Sequence, residues 1–224
     1  MLFVSRKEFS MAQDMTRRAQ TFGEEVANTI SHGIGALLAA AGAVPLIAKG
    51  IMAGSVKAGV SLAFYAFTLV LLYTASAVYH GVKRPELKRV LRVMDHCSIF
   101  LLILGTYVPL SLLVVGGRTG WALFLTNTAL AVVGITLNAI SLTRFDKISL
   151  VLYALMGWLV ILALRTILQV LAPAGVALLV AGGVAYTAGI WFYKSQRKYS
   201  HFVWHLFVLA GSVLHYLCVA LYCV

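Results

Sequence analysis

The residues in this sequence that could do chemistry fall in short groups, each spaced to share one face of a helix. Glu25, Asn28 and His32 follow one another at intervals of three and four residues, Ser76 and His80 stand four apart, Asp95 adjoins His96, and His201 and His205 stand four apart. Residues three, four or seven apart lie on the same side of an α-helix. Two histidines at a spacing of four can share one metal ion, and a third from another helix completes three protein ligands. Zinc with three protein ligands and a fourth position left to water or substrate is the catalytic arrangement, whereas structural sites close with four. His80, His201 and His205 are the candidate ligands. Asp95 would accept a hydrogen bond from a ligand imidazole or from water at the metal. Ser76 could donate to a developing oxyanion, and Glu25, Asn28 and His32 would form a polar second wall. Taken singly, each group also fits an interfacial belt or a surface pair. His201 and His205 enclose Phe202 and Trp204, His80 follows Tyr79, and Asp95 could pair with Arg89 or Arg92.

The elements that must position these residues follow from composition. Of 224 residues, 61% are hydrophobic and 11% charged, with a mean hydropathy of +0.93. Soluble domains are about 45–50% apolar and about 25% charged. Too few polar residues remain here to coat a water-soluble surface, and a disordered chain would be poor in apolar residues. The apolar runs are continuous, without the alternation of a membrane barrel. Seven of them approach the roughly 20 residues a membrane span needs, at 26–48, 58–80, 94–115, 120–141, 148–170, 175–193 and 201–223. The expected fold is therefore an all-α integral membrane protein, a seven-transmembrane-helix bundle. Residues 1–24 read as a cytoplasmic N-terminal segment and 25–224 as one domain. Arg6, Lys7, Glu8, Asp14, Arg17 and Arg18 break up the first 24 residues, which excludes a signal peptide. Cys97, Cys218 and Cys223 are odd in number, lack a CxxC pair and lie in apolar runs, so they read as reduced packing residues.

Orientation follows from the basic residues. With the N-terminus in the cytoplasm and the C-terminus outside, only Lys49, Lys57, Arg118 and Arg165 of the 18 Lys and Arg fall on the outer side, and all seven acidic residues fall on the inner half. The net charge of +11 then reflects orientation and lipid contact, with no nucleic-acid partner. Every candidate site residue falls in the cytoplasmic half at similar depth, because odd spans start there and the second span ends there. Other features need no chemistry. Gly33, Gly35, Gly182, Gly183 and Gly189 read as close helix-packing positions, Pro45 and Pro109 as kinks, and Arg165 as a snorkelling side chain. His96 points away from Asp95. His215 lies ten residues past His205, about 15 Å deeper. It reads as a buried, hydrogen-bonded neutral histidine that cannot share the same ion.

Taken in order, Glu25-x-x-Asn28-x-x-x-His32, Ser76-x-x-x-His80, Asp95 and His201-x-x-x-His205 resemble the motif set of the hemolysin III family, within the progestin and adipoQ receptor superfamily that includes the adiponectin receptors. Asn28 to Gly35, Asp95 and His96 followed by Gly105-Thr106-Tyr107, and Trp204 to His215 resemble its bacterial members in particular. The resemblance covers about residues 22 to 224. It implies seven helices with a cytoplasmic N-terminus in a plasma (inner) membrane, zinc at His80, His201 and His205, Asp95 acting through water, and no hormone-binding ectodomain. Alkaline ceramidases in the wider superfamily imply a lipid amidase.

Three functions fit these residues. One is a zinc-dependent intramembrane hydrolase of a lipid amide or ester, acting in lipid homeostasis with membrane lipid as partner. Another is a sensor or regulator in which zinc clamps two helices. The third, a cytolytic pore or transporter, has thin support, since the outer half offers mainly Asn127, Arg165, Gln169 and His215 as polar lining.

Overall fold

The structure, a computed structural model, describes residues 18–224, so the segment expected over 1–24 is described from Arg18 onward. Among the described residues there are seven helices long and apolar enough to cross a membrane, and no strand. They are α1 (Phe22–Met52), α2 (Val56–Gly81), α3 (Pro85–Val115), α4 (Gly117–Ile140), α5 (Leu142–Val170), α6 (Pro173–Lys194) and α7 (Ser200–Tyr222).

Local chemistry sets the helix ends. Thr21 and Glu24 cap α1 reciprocally, with the Thr21 backbone N–H donating to Glu24 Oε2 at 2.9 Å. Ser55 and Ser141 cap α2 and α5, and Pro85 and Pro173 open α3 and α6. Gly116 and Gly117 take φ of 62° and 52° in the α3–α4 turn, a left-handed region open to glycine at little cost. Helix α3 begins nine residues before the apolar run at 94. Residues 85–93 alternate Leu and Val with Glu, Lys and Arg, an amphipathic extension that hydropathy alone does not detect.

Helices α2 and α3 sit centrally, with 56% and 67% of their apolar windows buried against 17% for α1 and α6. Neighbouring helices pack in chain order around them, and α7 closes the ring against α1. The seam between α5 and α6 is sparsely packed. Two side-chain bonds cross it, from Trp158 Nε1 to Thr187 Oγ1 at 3.1 Å and from Tyr193 Oη to Asp146 Oδ1 at 2.8 Å.

Two helices depart from α geometry along their length. After Pro109, α3 widens into a π-helix over Leu110–Val115, and α5 tightens into a 3₁₀ turn over Leu159–Ala163. The Tyr107 hydroxyl donates to Gly157 O at 3.0 Å and accepts from Val160 N–H at 2.7 Å, so backbone groups at the α5 break find partners inside the bundle. This is how an irregular segment survives where no water is available.

The glycines divide. A Cβ on Gly35 would press into Tyr73 and Leu209, and one on Gly189 into Trp204 and Phe207. Gly33 is not a packing position, because nothing lies within 4 Å of a Cβ there. It occupies the opposite side of α1 from the core.

Tyr107→Phe should lower stability by about 1–3 kcal/mol by stranding Gly157 O and Val160 N–H. A thermal melt in detergent checks this; an unshifted midpoint would show that the two backbone groups find other partners.

Candidate metal centre

His80 reaches the centre from the last turn of α2, and His201 and His205 from the first two turns of α7. One ligand nitrogen from each lies within 4.8 Å of the other two. Tetrahedral zinc with bonds of about 2.0 Å needs nitrogens about 3.3 Å apart. A small inward movement of the rings therefore forms the site.

Hydrogen bonds fix which nitrogens face it. His80 Nδ1 lies 2.7 Å from Glu25 Oε2. A carboxylate accepts, so Nδ1 carries a hydrogen and Nε2 is the nitrogen left for a metal. His80 Nε2 is buried and has no hydrogen-bond partner among the described residues, which suits an atom that awaits an ion. His205 Nδ1 lies 3.2 Å from Ser31 Oγ, and that serine gives its own proton to Asn28 O at 2.9 Å. The imidazole is therefore the donor here too, and His205 Nε2 is left for a metal. Such partners orient ligand histidines and raise their basicity. Glu25 is held in turn by Lys88 at 2.8 Å. The donor set fits zinc: three imidazoles, two of them with Nδ1 held by an oxygen partner and Nε2 left for the metal.

Across residues 20–216 the sequence matches the family described as Haemolysin-III related. The chain belongs to that family. It is 38% identical to "Hemolysin-3" of Bacillus cereus over 213 residues, 95% of this chain and 97% of that protein. It is 38% identical to the "Hemolysin-3 homolog" of Bacillus subtilis over 205 residues, 91% and 96% of the two chains. The human "Monocyte to macrophage differentiation factor" is 27% identical over 165 residues, 68% of this chain and 66% of its own length.

Within this haemolysin-III-related bundle, the residues expected behind the ligands separate. Glu25 bonds His80 directly. Asn28 is buried, with Nδ2 donating to Gln20 Oε1 and lying 3.5 Å from His80 Nδ1. His32 stacks flat on His205, with ring centroids 3.6 Å apart, and meets Tyr73 edge-on. Ser76 and Asp95 are buried in the wall of a cavity that His32, His201 and His205 also line. For His80 and His205 the Nδ1 partner is Glu25 and Ser31 respectively. Asp95 Oδ2 lies 3.6 Å from His96 Nδ1, whose hydrogen goes to Arg92 O at 2.9 Å.

Sequence reasoning did not single out Ser31, Lys88 or Glu24. Ser31 follows Asn28 by one helical turn, a spacing that places it on the same face. Glu24 is legible as the end of a Thr-x-x-Glu capping box, but its second duty is not. It also binds Arg18 and accepts from Tyr199 N–H at 2.7 Å. Arg18 Nε in turn donates to Gln196 O at 3.3 Å. The start of α1 is thereby tied to the loop before α7, beside a small polar pocket that His201 also lines.

Wild-type protein should bind about one zinc per chain, measured by mass spectrometry of detergent-purified material, and a His80, His201, His205 triple-alanine variant should bind none. Glu25→Ala should weaken zinc about 10- to 100-fold in a chelator competition; undiminished affinity would remove its orienting role.

Proposed function

We propose that this haemolysin-III-related protein is a zinc-dependent intramembrane hydrolase of a lipid amide or ester, working at the cytoplasmic face of a plasma membrane. The observation that carries the proposal is a cavity of about 120 Å³ lined by two of the three candidate ligands, His201 and His205. Asp95 and Ser76 line it with them, and Leu102, Ile103, Trp158 and Val208 add apolar wall. The sparsely packed α5–α6 seam gives an apolar chain a way in from the bilayer.

His80, His201 and His205 would hold the ion. Zinc bound there supplies a water acidic enough to ionise near neutral pH. The chain's own residues do the rest. Asp95 takes the proton of the attacking water and returns it to the leaving group. Ser76 donates a hydrogen bond to the oxygen that gains charge as the carbonyl is attacked. Glu25 and Ser31 keep His80 and His205 in the tautomer that binds metal. The apolar wall excludes bulk water and holds the chain of the substrate in place.

One observation favours a second reading, a regulator with a structural zinc clamp. His80 belongs to α2 and the other two histidines to α7, helices that otherwise pack sparsely against each other. An ion between them would join two parts of the ring.

The two readings part on one variant. Asp95→Ala should abolish release of fatty acid from lipid amide and ester substrates while zinc content stays at the wild-type level. Unchanged turnover would remove Asp95 from the chemistry. If no substrate turns over and chelation unfolds the bundle, the clamp reading stands in its place.

A further inference from the structure

His215 lines the same cavity as His201 and His205, ten residues further along α7. That separation is about 15 Å along the helix. The ring is held in one orientation. Its Nε2 lies 3.1 Å from Leu179 O on α6. A carbonyl only accepts, so Nε2 carries the hydrogen, and a ring buried among apolar groups with no carboxylate beside it stays neutral, which leaves Nδ1 as a lone-pair acceptor. Helix α6 leaves space for the ring: a Cβ on Gly182 would overlap its Cδ2 and Nε2 atoms. Tyr186 flanks it at 5.4 Å between centroids and shares a hydroxyl–hydroxyl bond of 2.7 Å with Ser212.

Other polar groups on this stretch of wall have partners. The Tyr107 hydroxyl is bonded to Gly157 O and Val160 N–H, and the Thr106 hydroxyl donates to Leu102 O at 3.0 Å. With those hydroxyls engaged, His215 Nδ1 is an acceptor on the cavity wall about 15 Å from the histidine cluster. An acceptor buried among apolar groups gains from a ligand that brings a donor. Among the described residues no Lys or Arg lines the cavity, and its one carboxylate, Asp95, stands near the other end. A charged end group would find no counter-ion beside His215, so the donor must be neutral.

We propose that the far end of the cavity is a second subsite, in which His215 Nδ1 accepts a hydrogen bond from a hydroxyl carried on an apolar chain. This deepens the lipid reading given above and rests on it: the preferred ligand is an acyl chain hydroxylated at a distance from its polar head. His215 is then a specificity-determining residue, not a catalytic one.

The test compares a medium-chain fatty acid of matching length with its terminally hydroxylated analogue, each displacing a fluorescent fatty acid from the zinc-loaded protein in detergent. The hydroxylated acid should bind wild-type protein roughly tenfold more tightly. His215→Leu should bind both acids equally, and His215→Gln, which keeps an acceptor, should retain much of the preference. Gly182→Ala, which crowds the imidazole while leaving His215 in place, should reduce the preference and so serves if His215→Leu does not fold. Equal affinities in wild-type protein would overturn the subsite while leaving the lipid reading intact. A preference that survives in His215→Leu, or at full size in Gly182→Ala, would overturn the assignment to His215. Failure of both acids to bind would overturn the lipid reading and the subsite together.

Discussion

Two hydrogen bonds decide what the centre can be. Glu25 takes the Nδ1 hydrogen of His80, and Ser31 takes that of His205. Each leaves Nε2 for a metal, and that of His80 is buried without a partner in a bundle where such an atom is costly. Both partners come from α1, a peripheral helix that contributes no candidate ligand of its own. A helix whose apolar window is only 17% buried therefore governs the chemistry of two histidines on its neighbours. The stacked ring of His32, also from α1, limits how far His205 can tilt. The centre is a three-helix construction in which α2 and α7 present nitrogens and α1 determines which ones.

How much of this could be read from the sequence depended on whether a signal was local. All seven spans were legible, because a continuous apolar run is needed for each helix and leaves a trace in hydropathy. The polar start of α3 left no such trace, and its first nine residues required the structure. The three histidines were legible because two share a helical face and the third ends a span at the same depth. The pairing of Glu25 with His80 was not: both residues were visible, but the closeness of α1 to α2 at one register is a property of packing. Ser31 was hidden for a simpler reason. Serine is common in membrane helices, and only its proton bond to Asn28 O shows that it must accept from His205. Gly33 was misleading because small residues on one helix look alike until the neighbouring helix is in view.

The departures from regular helix geometry stand on one side of the cavity. The Tyr107 hydroxyl, one turn ahead of the π-helix in α3, bonds to the backbone at the 3₁₀ turn in α5. A regular α5 would satisfy its own backbone and leave Tyr107 with nothing to do. The break aims Trp158 across the seam to Thr187, and the cavity lies behind that contact. Space for a ligand, a loose seam and an irregular backbone therefore occur together, with one tyrosine closing the hydrogen-bond account of all three.

The tie between the beginning of α1 and the loop ahead of α7 bears on how the molecule is made. Glu24 satisfies Thr21 from the first moments of synthesis, yet its bond to Tyr199 must await a residue 175 positions later. The centre has the same schedule, since His80 enters the membrane five helices before His201 and His205. During translation the ring stays open and the buried polar face of α1 lacks its final partners. Arrival of the last helix closes the ring, completes the ligand set and locks α1 in one event. The clasp and the ligand set thus both wait on residues from Tyr199 onward.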